Sequence, residues 1–408
     1  MRRPATVLAA VLAAVLVAVL AAVVISVESA DESSWSAAAG GPDAAACLAR
    51  SDVVTLTGEQ GKWTSYAEDL PDGAGIDART AWWHRASASD HPFVLKEAGG
   101  GGSDVCVVGD EIYSSLPDST PWERWHDIYG MTIELPEFTV NRLRIHNMGD
   151  GISFTSHAAD DWTIRDVHMS EIHDDCVEND YANSGLIEDS LLEGCYVALS
   201  SEGGGWMDPL PNGLDERVTV RDTLIWHKPM PTVYKGAAPG TGPLFKWSDR
   251  PEEGYGPMLS MRNVIIRVDQ EPGFDDLEFP TYTDPSTGDP QPYLDDCSNN
   301  TIVWLGSGPY PADVPSCFTV TTDRAVWDDA VAEWKAAHYV DGVPGPGASR
   351  GAGAADRRAF CASRQVAGGS VHVGRSSRHH AARPAEGPHG HSLAAGQVLA
   401  AEHAEAED

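Results

Sequence analysis

Basic residues are scarce in this chain of 408 residues: 28 Lys and Arg stand against 61 Asp and Glu, a formal net charge of −33. A protein that binds phosphate backbones needs a basic face, so the composition predicts no nucleic-acid partner. The same excess disfavours an acidic polysaccharide as a ligand, unless Lys and Arg gather locally. Most of the acidity is what a soluble surface requires.

Paired metal-binding cysteines are also lacking, because no CxxC occurs and a zinc site therefore has no support. We expect no metal centre of that kind. Disulfides are open to an exported chain, and a Cys47–Cys106 bridge would tie the N-terminal entry of the fold while Cys297–Cys317 would close a Pro-rich loop. Connectivity stays open. The seven cysteines are Cys47, Cys106, Cys176, Cys195, Cys297, Cys317 and Cys361, of which Cys176 and Cys195 either pair or stack and Cys361 is left over.

Long apolar runs are confined to residues 4–27, which follow Arg2 and Arg3. The run is long enough to cross a bilayer, and Glu28-Ser29-Ala30 makes a poor cleavage site. Residues 1–30 are therefore predicted to be an uncleaved membrane anchor, with a cleaved signal peptide as the alternative. The arginines favour a cytoplasmic N-terminus, so that the linker 31–46 and everything after it lie outside the cytoplasm.

Five segments share one pattern, in which a single apolar residue is followed by two polar residues and a β-branched or apolar run. A short strand repeated every ~20–30 residues is typical of a solenoid, whose units bury their apolar sides by stacking at ~4.8 Å. The last two intervals between successive repeats are longer than the first two and indicate coils with inserted loops. We predict an all-β fold, a right-handed parallel β-helix over residues 47–340. The apolar residues that define the frame are Val140, Ile164, Ile187, Val220 and Met261.

Other parts of the chain interrupt this pattern. Segments rich in Gly, Pro and Asp, at 203–217, 229–257 and 269–296, indicate loops. Residues 323–338 have helical spacing with Asp323 as the N-cap, which predicts a short C-terminal helix that either covers the open end of the solenoid or packs on one flank. The sequence from 341 to 408 has few large apolar residues and is predicted to be a disordered tail.

Two acids fall at the same offset within adjacent coils. Asp150 follows Val140 by the same number of residues as Asp174 follows Ile164, and Asp175 comes next. Stacking predicts Asp150 and Asp174 in one column about 5 Å apart, where one pKa should rise. A glycosidase needs one protonated and one ionised carboxyl group. Acids at solenoid corners also serve as ordinary turn residues, which is the alternative.

These acids carry a family resemblance. The motif Gly149–Ile152 (Gly-Asp-Gly-Ile) and the motif His173–Cys176 (His-Asp-Asp-Cys) resemble the paired Asp motifs of polygalacturonases, which are right-handed β-helix glycoside hydrolases of the pectin-lyase-like fold. The resemblance implies an inverting catalytic group. Its members would be Asp174 as general acid, Asp150 and Asp175 holding and activating water, and Lys246 binding substrate.

The chain departs from that family at two places. Where the family has a His between two glycines, this sequence has Cys195, and where it has an Asn before the first Asp motif, this sequence has Met148. The resemblance therefore leaves a non-catalytic glycan-binding or scaffold protein at the surface as an alternative.

A second enzymatic alternative is elimination. Lys246 and Arg267 resemble the Lys/Arg pair of chondroitinase-B-type lyases, and Glu178, Asn179 and Asp180 offer oxygen ligands for a Ca²⁺ ion, the one cofactor we consider. We therefore predict an extracytoplasmic, carbohydrate-active, monomeric protein with a polysaccharide as its partner. Two further candidate contacts with sugar follow the fourth strand, His227 and Lys228.

Overall fold

The computed structural model describes residues 41–339, except 67–68, 86–90, 97–101, 110, 205–206, 208, 232–239, 249–251, 253 and 270–276. All of them belong to one compact unit, Met1–Ser349, and the second unit, Arg350–Asp408, lies outside the described residues. The predicted anchor 1–30, most of the linker and the predicted tail also lie outside them. In the described ranges no helix has both the length and the apolar character needed to cross a membrane.

Parallel strands wind in successive coils around a single apolar core, so the predicted parallel β-helix is confirmed. The five repeats stack in the predicted register. Val140 lies opposite Ile164, Ile164 opposite Ile187, Ile187 opposite Val220, and Val220 opposite Met261. All five side chains are fully buried, because each strand turns this position toward the inside of the coil.

The coils form three parallel sheets. The first sheet contains the starts of β1 (Val53–Gln60) and β3 (Gly75–Arg85), followed by β5 (Cys106–Val108), β8 (Thr139–Asn141), β11 (Trp162–Arg165), β13 (Gly185–Glu188), β15 (Arg217–Arg221), β18 (Met258–Arg262) and β22 (Leu294–Ser298).

The second sheet begins with the ends of β1 and β3 and takes the first halves of two long, bent strands. It contains β6 (Glu111–Ser114), β9 (Arg144–Met148), the starts of β12 (His168–Glu178) and β14 (Leu191–Ser201), β16 (Leu224–His227), β19 (Ile265–Val268), β23 (Asn300–Trp304) and β24 (Phe318–Thr321).

The third sheet contains the second halves of the bent strands. Its members are β2 (Trp63–Tyr66), β4 (Phe93–Lys96), β7 (Tyr129–Ile133), β10 (Asp150–Phe154), the ends of β12 and β14, and β17 (Phe245–Trp247). A separate antiparallel pair is formed by β20 (Thr281–Thr283) and β21 (Pro290–Pro292).

One left-handed residue per coil makes the corner between the first and second sheets. The residues there have φ between 47° and 57°, and all but Arg142 are Asp or Asn, which adopt this conformation more readily than other side chains. The polar residue that precedes the apolar run of each repeat is therefore a turn residue. The corner residues are Arg142, Asp166, Asp189, Asp222, Asn263 and Asn299.

Disulfides join neighbouring parts of the solenoid. Cys47–Cys106 and Cys297–Cys317 are both formed, as the sequence suggested. Cys176 and Cys195, for which stacking was the alternative, pair across adjacent coils with a Cα–Cα distance of 5.5 Å. Three bridges are compatible with an extracytoplasmic location.

The C-terminal helix packs on a flank rather than over the open end. The short helices are α1 (Ala44–Leu48), α2 (Trp122–Trp125) and a 3-10 turn (Gly213–Asp215), whereas α3 runs over Ala325–His338. Its buried side chains Trp327, Val331 and Trp334 cover Leu191, Leu224 and Val303 on the outer face of the second sheet. The helix boundary falls at Arg324, one residue after the predicted Asp323 cap, although the Asp323 carboxylate still accepts a hydrogen bond from the Ala325 N–H at 3.0 Å.

Candidate functional site

The carboxylates of interest lie where the coils bend from the second sheet into the third. Two glycines make this bend possible by close packing. A Cβ on Gly149 would stand 1.9 Å from the Trp125 carbonyl oxygen, and one on Gly151 would stand 2.4 Å from the Cys176 carbonyl oxygen. The Gly-Asp-Gly motif thus has a structural cause, and it holds Asp150 in the wall between two coils.

The register between the coils changes within the bend. Met148 lies opposite Ile172, but further along Ile152 lies opposite Val177, so β12 carries one extra residue in the bend. The Asp174 N–H donates to the Gly149 carbonyl at 2.9 Å. The Asp175 N–H donates to Asp150 Oδ1 at 2.8 Å, so Asp150 lies beside both acids.

The three acids are nevertheless brought together. Asp150, Asp174 and Asp175 each offer a carboxylate oxygen, and these oxygens lie within 4.8 Å of one another. Asp150 and Asp175 are 1% exposed and Asp174 is 5% exposed, so none of them sits on an open corner.

Burial and mutual repulsion shift the ionisation of this group. Burial raises the pKa of Asp150 well above its ordinary value, and burial raises the pKa of Asp175 to about 8 against the opposing effect of Lys246. Asp150 Oδ2 and Asp175 Oδ1 have no hydrogen-bond partner among the residues that the structure describes. At neutral pH the site therefore holds protons on carboxyl groups, as the close spacing predicted.

Two further acids extend this cluster along the third sheet. Burial raises the pKa of Glu178 to about 8, and it raises the pKa of Asp180. Ser153 donates to Glu178, and Asp180 Oδ1 accepts hydrogen bonds from the Ser200 hydroxyl at 2.8 Å and the Glu202 N–H at 3.0 Å.

The predicted Ca²⁺ ligands are not brought together as a set. Glu178 and Asp180 lie in the acidic cluster, but the side chain of Asn179 closes a turn instead. Its Nδ2 donates to the Asn183 carbonyl at 2.8 Å, and its Oδ1 accepts from the Asn183 N–H at 3.2 Å.

Lys246 is the cation that faces the acids, as predicted. It lies on β17 opposite Ser200, with Nζ 3.6 Å from Asp175 Oδ2 and 3.7 Å from Glu202 Oε2. The field of Asp175 and the other acids raises the pKa of Lys246 well above its ordinary value, so the ammonium stays charged. Its side chain is 29% exposed and forms part of the surface of the site.

His126 is a member of the site that the sequence did not reveal. It follows α2, stacks on Trp122 with ring centroids 4.7 Å apart, and places Nδ1 2.9 Å from Asp174 Oδ2. The hydrogen bond to Asp174 raises the pKa of His126. The repeat pattern could not place His126, because α2 lies outside the repeats. The one signal in the sequence was the aromatic segment Trp122–His126, which leads into the first clear coil.

The other predicted contact residues lie elsewhere. His227 is fully buried, with Nε2 3.0 Å from the Tyr196 carbonyl and 2.9 Å from the Gly242 carbonyl. Lys228 forms an ion pair with Glu171 on the second sheet. These surroundings separate both residues from the carboxylate cluster.

Arg267 is not paired with Lys246. It lies opposite Trp226 on the second sheet, with its guanidinium 3.8 Å from the Trp226 ring centre, and it forms an ion pair with Asp269 at 2.8 Å. The structure therefore gives the two cations different sheets and different partners.

No protein-family model, no curated protein and no solved structure matches this chain. Its chemistry therefore has to be inferred from the residues and contacts of the site itself.

Proposed function

We propose that the protein is an extracytoplasmic glycan-processing enzyme that hydrolyses a glycosidic bond at the Asp150/Asp174/Asp175 cluster. One observation carries the proposal. Buried carboxyl groups that keep their protons near neutral pH lie within 4.8 Å of a carboxylate that accepts a hydrogen bond from His126. Glycoside hydrolysis requires such a pair, an acid for the leaving oxygen and a base or nucleophile for the sugar carbon.

The surroundings suggest roles within the cluster. Asp175, with its pKa raised to about 8, is the proton donor, and the more exposed Asp174 is the base or nucleophile that His126 orients. This reverses the assignment of Asp174 as the acid that the family resemblance implies. Asp150 accepts the Asp175 backbone N–H and stabilises the bend that presents both groups.

The spacing gives no support to inversion. Inverting enzymes usually hold their two carboxyl groups ~6.5–9.5 Å apart to admit water, and retaining enzymes ~5–5.5 Å apart. The oxygens of this cluster approach within 4.8 Å. Whether the reaction retains or inverts the configuration at the sugar carbon is measured separately, by following the anomeric proton of the first product by NMR.

Charge favours a neutral glycan as substrate. Among the residues that the structure describes, the cluster and its rim contain six carboxyl groups and two basic side chains, Lys246 and His126, and both basic side chains already have acidic partners. A uronate would add another negative charge. The carboxyl groups are Asp150, Asp174, Asp175, Glu178, Asp180 and Glu202.

Elimination is less well supported by the same contacts. A lyase base must give up its proton to attack beside a uronate, but the acids around Lys246 raise its pKa and favour the protonated form. Lys246 lies on the third sheet and Arg267 on the second, so the structure does not pair the two side chains as a lyase site would need.

The test uses the full-length protein with polygalacturonate, alginate and a panel of neutral polysaccharides. We expect new reducing ends from a neutral glycan without the ultraviolet absorbance of an unsaturated product. Replacing Asp174 by Asn should slow release by about 100-fold or more, the usual contribution of a positioned acid or base. Asp72→Asn is the matched control, because Asp72 is exposed and, within the described ranges, its carboxylate accepts hydrogen bonds from Gly102 and Ser103 alone.

Three outcomes count against hydrolysis. Unsaturated products would indicate elimination, and binding without cleavage of any polysaccharide would indicate a glycan-binding or scaffold protein. Full activity in Asp174→Asn would remove the carboxylate cluster from the reaction.

A further inference from the structure

A second concave site lies on the outer face of the second sheet, beside α3. It is a cavity of about 420 Å³, and it is lined by residues that the carboxylate cluster does not use. Its volume falls within the ~300–1,000 Å³ of small-molecule sites. The lining includes His146, Ser170, Glu171, Glu193, Trp226 and Tyr339.

Four of these side chains form one column across adjacent coils. His146 lies opposite Ser170, Ser170 opposite Glu193, and Glu193 opposite Trp226. Side chains at the same register point to the same side of a parallel sheet and repeat at ~4.8 Å. The cavity therefore presents a row of polar groups that ends at an aromatic ring, with a spacing close to the length of one sugar unit in an extended chain.

The charges that line the cavity cancel. Lys228 forms an ion pair with Glu171, and Lys335 forms one with Glu193 at 2.6 Å. Burial lowers the pKa of His146 and of His168, so both rings are uncharged at neutral pH. With two carboxylates matched by two ammonium groups, an ionic ligand gains little here.

The walls are held in place by their own contacts. Trp226 Nε1 donates to Asp269 at 3.0 Å and Arg267 packs on the Trp226 ring, which fixes the orientation of that ring. Tyr339 contacts His168 through its hydroxyl group. Because these side chains are already fixed, they lose little conformational freedom when a ligand binds, and the entropy cost of binding is smaller.

One polar atom points to a ligand with hydroxyl groups. His146 Nδ1 lies 2.9 Å from the Ser170 hydroxyl, whereas in the described part of the chain its Nε2 has no hydrogen-bond partner. A group in the cavity that both donates and accepts would satisfy this nitrogen and the free lone pairs of Glu171 and Ser170.

We propose that this groove is a non-catalytic binding site for a short segment of a neutral glycan. Mixed donors and acceptors bind sugar hydroxyls, the aromatic walls pack on the apolar faces of the rings, and the balanced charge selects against uronates and sulfated sugars. The site lies on a different sheet from the carboxylate cluster and does not depend on hydrolysis occurring there.

The test is calorimetric titration of the full-length Asp174→Asn variant with neutral hexasaccharides of glucose, mannose, xylose and N-acetylglucosamine. This background slows turnover at the carboxylate cluster by the expected ~100-fold or more. We expect saturable binding of at least one hexasaccharide, with a Kd that changes by less than about twofold between low and high salt, since no net charge is neutralised.

Two groove variants locate the binding. His146→Ala and the milder Glu171→Gln should each raise Kd by about tenfold, a factor that one or two lost hydrogen bonds produce. Their melting temperatures show whether each variant folds, and Glu171, which is half-exposed, is the safer of the two. The proposal is overturned if no neutral hexasaccharide binds, if Kd rises steeply with salt, or if neither variant weakens binding.

Discussion

Replacing Asp175 by Asn should make the protein increasingly more stable than the wild type as the pH rises from about 5 to about 8. The pKa of Asp175 is raised from 3.8 to about 8 in the folded protein. Between these values the unfolded chain has released this proton and the folded chain has kept it, so wild-type stability falls as the pH rises. Asn has the shape of the protonated acid but does not ionise in this pH range, so the stability of the variant does not fall for this reason.

The magnitude follows from linkage. Each pH unit within the window is worth about 1.4 kcal/mol for an isolated group, or about 4 kcal/mol between pH 5 and pH 8. Asp175 shares its protons with Asp150 and Glu178, so part of the difference passes to these neighbours. We expect the stability difference to change by about 2 kcal/mol or more across this range.

The difference between the two proteins isolates the carboxyl group. Burial also lowers the pKa of His173 to about 3 and of His227 to about 4. As the pH falls below the pKa that these rings have in the unfolded chain, the unfolded chain binds protons that the folded protein does not, and stability decreases. Both proteins contain these histidines, and their contribution cancels in the difference.

Urea denaturation at pH 5, 6, 7 and 8 measures the effect. Asp72→Asn provides the comparison, because backbone hydrogen bonds from Ser103 and Gly102 lower the pKa of Asp72 and place its titration below this range. If the stability difference between Asp175→Asn and the wild type stays constant or falls as the pH rises, Asp175 is ionised at neutral pH in the folded protein, and its assignment as proton donor is wrong.

Three further outcomes test the fold. Replacing both Cys176 and Cys195 by Ser removes a bridge with a sequence separation of 19 and should cost about 3 kcal/mol in non-reducing denaturation, a difference that reductant should abolish. Asp222→Val forces a β-branched residue to φ 50° at a coil corner and should cost about 1–2 kcal/mol, whereas an unchanged stability would argue against a left-handed corner. Trp334→Ala should cost about 3–5 kcal/mol and expose the amides of α3 to hydrogen exchange, and unaltered protection would show that α3 is anchored by other contacts.

The register of the coils could be read from the sequence because it has a simple physical cause. An inward residue such as Ile164 must be apolar in every coil, and insertions between strands leave that requirement intact. The long loops before Val220 and Met261 therefore changed the spacing without changing the column.

The bend could not be read in the same way. The extra residue in β12 is a backbone irregularity, and a count of residues along the chain cannot locate it. It places the backbone N–H groups of both Asp174 and Asp175 beside the neighbouring coil at Gly149 and Asp150. His126 was missed because it reaches the site from α2, which no repeat describes.

His227 was misplaced for a reason that the repeats did contain. It belongs to the column of Met148, Ile172 and Cys195, all of which face the core. A histidine in that column must be buried, and Nε2 of His227 is hydrogen-bonded there to two backbone carbonyls, whereas its Nδ1 has no hydrogen-bond partner among the described residues. Its position beside Lys228 along the strand gave the false impression of an exposed pair, because neighbouring residues in a strand point to opposite faces.

The two candidate sites differ in charge balance, although the same stacking builds both. On the third sheet the coils bring together acids with too few cations, and the unmatched charge is relieved by holding protons on Asp150 and Asp175. On the second sheet Glu171 and Glu193 each have a Lys partner, so no proton has to be held. Proton transfer is therefore expected where like charges are stacked without compensation, and simple binding where the charges are paired. Variants that add a cation to the first site or remove one from the second would exchange these properties.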